Sequence, residues 1–220
     1  MGRFARIAVF LVFAASLCHA QIAGSASSSK TILWPPTKID LPDAVPRPTV
    51  PKELIDSLRI ANFPVILEKT KREDARKQFG ATTGHRGDAG DSEAWICLQG
   101  SDANGPWIFW LTSGEIDGPA IGGFQWRRLA PNEIPDRRCP LLRGSEARIS
   151  LPLSIHPGMT EAEARKVLGV PTIVRGNTLV FFHEHHEIID NLPYASDNLV
   201  ALVIQNGVVL AIAVSKTTSS

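Results

Sequence analysis

The chain has little cysteine, little tyrosine and almost no excess of charge of either sign. Its 220 residues include three cysteines, two methionines and one tyrosine, and the formal net charge is +1. Because a nearly neutral chain lacks the basic surface that attracts phosphate backbones, we expect no nucleic-acid partner. With 44% hydrophobic and 20% charged residues, the composition is that of a folded protein rather than a disordered one.

The N-terminal apolar run is too short to anchor the chain in a membrane. Residues 7–17 form an eleven-residue apolar stretch, whereas a membrane-spanning helix needs about 20 residues. Two arginines precede the run, and residues 18–20 offer small residues at both ends of a cleavage site. This layout predicts a secretory signal peptide over the first 20 residues, cleaved before Gln21. Acylation of Cys18 is disfavoured, because Leu17 rather than a small residue precedes it. We expect a periplasmic or secreted protein that does not span a membrane.

Two cysteines, Cys97 and Cys139, remain after this cleavage. Disulfides form in exported proteins and are rare in the cytosol. The sequence therefore predicts a Cys97–Cys139 disulfide, and the alternative is a pair of buried thiols.

Residues 21–51 have the composition of a tether. The segment begins with serines and carries six prolines from Pro35 onward. Such a segment favours extended polyproline conformations and behaves as a semi-rigid spacer. We therefore expect a Ser/Pro-rich extension ahead of the folded part.

An internal repeat organises the rest of the chain. The hexapeptide at residues 75–80, ARKQFG, returns at residues 164–169 as ARKVLG, with four of six residues identical. Short apolar runs of strand length follow both copies in the same order. This order predicts a first repeat at 52–130, a linker at 131–149 and a second repeat at 150–220.

Each repeat is predicted to be a short helix followed by antiparallel strands, which gives an α+β fold. In the second repeat Thr160 is the expected N-cap, Glu163 completes a capping box, and Gly169 ends the helix. A helix of this length is unstable alone in water and must pack on the sheet.

Asn206-Gly207, between two apolar runs, predicts a hairpin with a type I′ turn. A two-residue turn would place Gln205 opposite Val208 and Val203 opposite Leu210. Both faces of this hairpin are apolar, so we expect the face away from the helix to meet the other repeat, another chain or a ligand.

The second repeat resembles a known family of small envelope proteins. Gly158-Met159-Thr160 opens the helix and Leu168-Gly169-Val170-Pro171 closes it, which is similar to the signature of the SmpA/OmlA family. Tandem units of this kind resemble the beta-lactamase inhibitory protein fold, in which two helix-plus-sheet repeats form a saddle with a concave sheet face. The resemblance implies non-enzymatic work in the bacterial envelope, through that concave face or as an accessory of outer-membrane assembly.

Motifs for catalysis are missing from the sequence. It contains neither a Gly-x-Ser-x-Gly nucleophile elbow nor a glycine-rich phosphate loop. We therefore expect a protein that is not an enzyme and that needs no cofactor.

A histidine-rich stretch is the candidate metal site. On a strand, His183 and His185 would project from one face and offer two imidazoles to a zinc or copper ion. The alternative is a polar surface strand, since no distant cluster supplies further ligands.

Aromatic residues of the first repeat suggest a partner-binding surface. Alternation places Ile108 and Trp110 on the face opposite Trp107. Gln125 and Arg127 are expected beside Trp110 on that open face. Tryptophan and arginine are enriched at binding hot spots, although a packed core position for Trp110 fits the pattern equally well.

These observations together predict a protein-binding module. The expected role is that of an inhibitor or immunity-type neutraliser of an envelope or secreted hydrolase. The alternatives are an accessory factor in outer-membrane or cell-envelope assembly, and a metal-binding protein that uses residues 183–187.

Overall fold

A computed structural model describes residues 30–32, 55–88, 92–189 and 192–219. The predicted signal peptide and all but three residues of the predicted tether lie outside the described residues. The strands and helices are β1 (Lys30–Ile32), β2 (Ser57–Ile60), β3 (Phe63–Ile66), α1 (Arg72–Phe79), β4 (Thr83–Arg86), β5 (Glu93–Asp102), β6 (Gly105–Gly114), β7 (Gly123–Arg128), β8 (Glu133–Pro135), β9 (Ile149–Ser150), α2 (Glu161–Leu168), β10 (Ile173–Arg175), β11 (Thr178–Ile189), β12 (Leu192–Gln205) and β13 (Val208–Ser219).

The main element is an eight-stranded antiparallel sheet in the order β10-β11-β12-β13-β7-β6-β5-β4. Its first half consists of β4–β7, preceded by α1, and its second half consists of β10–β13, preceded by α2. The two halves join through their last strands, because β7 pairs with β13. Ile212 lies opposite Trp126 and Val214 lies opposite Phe124. The mixed composition and the antiparallel pairing agree with the α+β prediction in its general form.

Both helices pack on one face of this sheet, which we call the front face. Ala75 of α1 and Ala164 of α2 belong to one buried cluster with front-face strand residues such as Phe109 and Leu202. A small sheet in the order β3-β2-β9 contributes to the same cluster. We call the opposite side of the main sheet the back face.

The helix signals predicted for the second half are present. Thr160 caps α2 by accepting from the Glu163 backbone N–H, and the Glu163 carboxylate accepts from the Thr160 backbone N–H in return. This capping box is confirmed. Among the described residues, no helix has both the length and the apolar character needed to cross a membrane.

The β12–β13 hairpin differs from its predicted register by one residue. The turn is as predicted, because Asn206 and Gly207 both have positive φ and Gln205 lies opposite Val208. Beyond it, Val203 lies opposite Ala211 rather than Leu210, because a β-bulge separates Val203 from Ile204. The bulge preserves the front-face core, since a one-residue slip would send core side chains to the back face.

Three residues of the predicted tether form a strand. β1 pairs in parallel with β8, with Lys30 opposite Glu133 and Ile32 opposite Pro135. An extended segment leaves its backbone groups unpaired and can therefore join a neighbouring strand. The predicted linker, which contains β8, is the segment that receives it.

Candidate functional site

The back face of the first half is covered by the chain itself. Trp110 and Ile108 project from it as predicted, yet both are 0% exposed. They lie in a cluster with Cys139 and Leu129, which belong to the segment that follows β7. The expectation of an open partner-binding surface at Trp110 and Ile108 is therefore corrected, and the alternative of a packed core position is what the structure has.

The covering segment, residues 129–142, is attached to β5 by one covalent and three hydrogen bonds. Cys97 and Cys139 lie at disulfide distance, as predicted from the sequence, with Cα atoms 4.9 Å apart. The backbone N–H of Gln99 donates to Pro140 O at 3.0 Å, and Leu142 N–H donates to Gln99 O at 2.8 Å. The Gln99 side chain donates to Cys139 O at 2.6 Å. This segment thus closes both the back face and the edge of β5.

Arg127, another predicted partner-binding residue, is already engaged within the chain. Its guanidinium forms an ion pair with Glu133 of the covering segment, and their side chains are only 19% and 16% exposed. Glu133 also accepts a hydrogen bond from the Ala130 backbone N–H at 2.9 Å. Gln125, the fourth predicted partner-binding residue, borders an accessible depression.

That depression lies on the back face where the two halves join, and we call it the central hollow. It has a volume of about 470 Å³. Gly123 on β7 lies opposite Ser215 on β13, and Ser215 is exposed although it belongs to the sheet. The side chains or backbone that form its floor and apolar wall belong to Thr112, Gly123, Gln125, Leu199, Ala213 and Ser215.

Gly123 is needed for the shape of this floor. A Cβ atom at this position would lie 2.5 Å from Val214 O and 3.1 Å from Thr112 Oγ1. Because the closer contact is to backbone, a side chain could enter only if the β7–β13 pairing moved. The hollow therefore exists because small residues face each other across the joint.

One wall of the hollow carries carboxylates. Glu93 is buried and forms an ion pair with Arg86. Asp117 accepts a hydrogen bond from the Gly114 backbone N–H at 2.6 Å, but no basic group pairs with it among the described residues. Burial and the negative charge of Glu68 raise the pKa of the Asp117 carboxyl, and the Gly114 hydrogen bond opposes this rise. Among the described residues the Asp117 carboxylate thus forms no ion pair, although Lys216 also lines the hollow.

A larger groove, of about 860 Å³, lies between the small sheet, the end of α1 and the covering segment. Phe63 and Phe79 meet edge to face on one side of it, and Leu141 is half exposed on the other. Its lining combines residues of β2, β3 and β9 with residues of the connection at 140–148, which contains no strand. The central hollow is the better candidate because hydrogen-bonded strands hold its floor.

The predicted metal residues lie on β11. His183 is half-buried and His185 is exposed, and strand alternation places them on the front-face side. On the other side of the strand His186 Nε2 contacts Glu184 Oε1 at 3.1 Å. Across the described ranges no group of three or more histidine, cysteine, aspartate or glutamate side chains is placed to hold a metal ion. His183 and His185 therefore bring two imidazoles together without a third ligand from that part of the chain.

Sequence reasoning missed most of the hollow. A signal was present, since Gly122-Gly123 precedes Phe124, and Ala211, Ala213 and Ser215 alternate along the next apolar run. A glycine pair on one strand and small residues at alternate positions of another predict a shallow surface only once the two strands are known to be neighbours. That pairing joins residues about 90 positions apart, which periodicity does not reveal.

Comparison of the chain with known protein-family models, with curated proteins and with solved structures finds no match. The resemblance of the second half to the SmpA/OmlA signature therefore stays a prediction.

Proposed function

We propose that this chain is an exported, non-catalytic protein-binding module that neutralises an envelope or secreted hydrolase, and that the central hollow receives the partner. The observation that carries the proposal is the position of the hollow at the joint between the halves, on the side away from the helices. Gly123 and Ser215 keep its floor low, and paired strands hold it rigid. Rigid pockets that accept one large side chain are where hot-spot energy concentrates in protein interfaces.

The arrangement of the two halves supports a tandem origin. Each half has a helix followed by four antiparallel strands, and the halves meet through their last strands. We infer that they are two copies of one unit, in line with the resemblance to the beta-lactamase inhibitory protein fold. That resemblance implies that a sheet face contacts the partner, and the hollow lies on such a face.

The charges of the wall favour a basic side chain from the partner. Glu93 is neutralised by Arg86, whereas Asp117 has only a backbone donor. A lysine or arginine could lay its methylene groups against Leu199 and bring its charge toward Asp117. The proposed partner surface is thus a protruding loop with one lysine or arginine at its tip.

The test is affinity capture with a variant that fills the hollow. Ser215→Trp places a large ring at an exposed position on the floor, and Ser101→Trp makes the same change at an exposed position near the far end of β5. We expect the wild type and Ser101→Trp to capture one soluble hydrolase in a one-to-one complex and inhibit it. Ser215→Trp, with an unfolding curve like that of the control, is expected to lose at least about tenfold in affinity.

Two outcomes would contradict the proposal. Equal capture by both tryptophan variants would exclude the hollow as the contact site. Recovery of membrane-assembly components instead of a hydrolase would favour the accessory role in outer-membrane or cell-envelope assembly.

A further inference from the structure

The edge of the second half is formed by a long strand that is only partly paired. β11 has 12 residues, and β10 pairs with only three of them, Thr178 to Val180. The Phe182 backbone N–H donates to the Thr172 side chain at 3.2 Å, so this group points outward from the sheet. The rest of β11, from His183 onward, extends beyond these contacts.

Backbone alternation identifies the groups that remain at the edge. In an antiparallel pair, successive residues point their N–H and C=O groups to opposite neighbours. Because the Phe182 N–H points outward, those of Glu184, His186 and Ile188 also point outward. None of these three residues has a backbone hydrogen-bond partner at this edge within the described ranges. A row of free donors and acceptors on a long edge strand is a template for pairing with another strand.

The side chains of this edge are complementary to those of a second, antiparallel copy of the same strand. Residues 183–187 read His-Glu-His-His-Glu. If two copies of β11 pair antiparallel about His185, Glu184 lies opposite His186 of the second copy, and His183 lies opposite position 187, a glutamate in the sequence. A centre at Glu184 would place two glutamates opposite each other, and a centre at His186 would place Glu184 opposite Ile188. The centre at His185 also faces two imidazoles, but of the three it alone pairs Glu184 with His186. Opposite-charge and hydrogen-bonding pairs stabilise a ladder whereas like charges destabilise it, so the pattern selects His185.

The neighbouring strand adds a reason for this register. Asp197 on β12 lies opposite Glu184, and one of its carboxylate oxygens is buried with no hydrogen-bond partner in the described part of the chain. Burial and the charge of Glu184 raise the pKa of Asp197, while His186 opposes this rise. Two carboxylates therefore share the single imidazole of His186 on this side of the sheet. The His186 of a second copy would supply another.

We propose that β11 is an interface at which two copies of this chain join edge to edge, antiparallel about His185, into one continuous sheet. The backbone groups of Glu184, His186 and Ile188 make the new ladder, and the Glu184–His186 pairs set its register. The interface is separate from the central hollow and does not depend on the proposed function.

A cysteine at the two-fold position tests the register directly. Because its backbone groups point away from the edge, residue 185 would face its own copy in a non-hydrogen-bonded pair, with Cα atoms about 4.5 Å apart, which suits a disulfide. The Cα atoms of the two Glu184 residues would be about 8–9 Å apart, beyond disulfide reach. In the full secreted chain under mild oxidation, His185→Cys should give a covalent dimer and Glu184→Cys should not. Cross-linking of both variants or of neither would overturn this register.

Charge exchange tests the pairing without a cross-link. By analytical ultracentrifugation at neutral pH, the wild type should have the mass of two chains. In the His186→Glu variant a glutamate at position 186 of each copy would face Glu184 of the other copy. This repulsion should weaken the dimer about tenfold or more. Adding Glu184→Lys to this variant restores opposite charges and should restore the dimer. A wild-type chain that remains monomeric at every concentration, or a double variant that stays as weak as His186→Glu, would overturn the proposal.

Discussion

The two halves of the sheet have the same order of elements but end differently. In the first half, β4 pairs with one part of β5, and residues 140–142 close the next part through Gln99. In the second half, β10 covers three residues of β11, and the strand continues to Ile189. Closure of the part of β5 beyond β4 therefore comes from the covering segment and not from the sheet. We therefore expect contacts with other molecules at the central hollow and along β11.

The largest effect is expected where the covering segment meets the back face. Trp110→Ala would leave a cavity under residues 129–142 and should lower the free energy of unfolding by up to about 5 kcal/mol. Trp110→Phe should cost much less, because the indole N–H of Trp110 is buried without a hydrogen-bond partner. Urea unfolding of both variants checks this. Equal losses would show that the ring volume is not what holds the segment.

The second-largest effect on the free energy of unfolding is expected from the disulfide that holds the covering segment on β5. Cys97 and Cys139 are 42 positions apart, and opening a loop of that length should cost about 4 kcal/mol in the chain-entropy model. The double variant Cys97→Ser/Cys139→Ser should show this loss in urea unfolding. A reducing agent should destabilise the wild type to the same level and leave the double variant unchanged. A double variant that still responds to the reductant would show that another bond is being measured.

In this chain the sequence predicts local structure well, but it does not predict which segments cover which faces of the sheet. The α2 capping box and the Asn206-Gly207 turn depend on neighbours a few residues away, so their signals are local. The separation of Trp107 from Trp110 across the sheet follows from strand alternation. Coverage of Trp110 does not, because it depends on a loop that crosses the back face without any periodic pattern. The central hollow is not predicted for the same reason, since the pairing of β7 with β13 joins distant parts of the chain.

A smaller effect is expected from the ion pair that fixes the start of the covering segment. Arg127 and Glu133 are both largely buried, so their interaction is screened less than at an open surface. A double-mutant cycle with Arg127→Met and Glu133→Gln should give a coupling of about 1–2 kcal/mol. The same cycle on Glu73→Gln and Arg76→Met, an exposed pair within α1, is the matched control and should give a much smaller coupling, because solvent screens it. Equal coupling energies would mean that burial adds nothing at Arg127.

The smallest effect concerns Asp117, at the joint between the halves. Its pKa in the folded chain is raised above the usual value by burial and by Glu68. The folded state therefore binds the proton more tightly than the unfolded state, so Asp117 favours folding below its unfolded pKa and loses that contribution as the pH rises through its folded pKa. Asp117→Asn keeps an oxygen for the Gly114 N–H but has no charge to bury. Its stability relative to the wild type should increase between about pH 4 and pH 7, as measured by urea unfolding at a series of pH values.

The matching control for Asp117 is Asp136, whose pKa is lowered by its hydrogen bonds to the Arg138 side chain and backbone. That carboxylate favours folding above its unfolded pKa and loses its contribution as the pH falls through its lower folded pKa. Asp136→Asn should therefore lose stability relative to the wild type as the pH rises towards about 4, and should change little from there to pH 7. Opposite slopes for the two variants would mark Asp117 as the carboxylate that lacks a cation. Parallel slopes would remove the reason to expect a basic side chain from the partner, because Asp117 would then be as well compensated as the ion-paired Asp136.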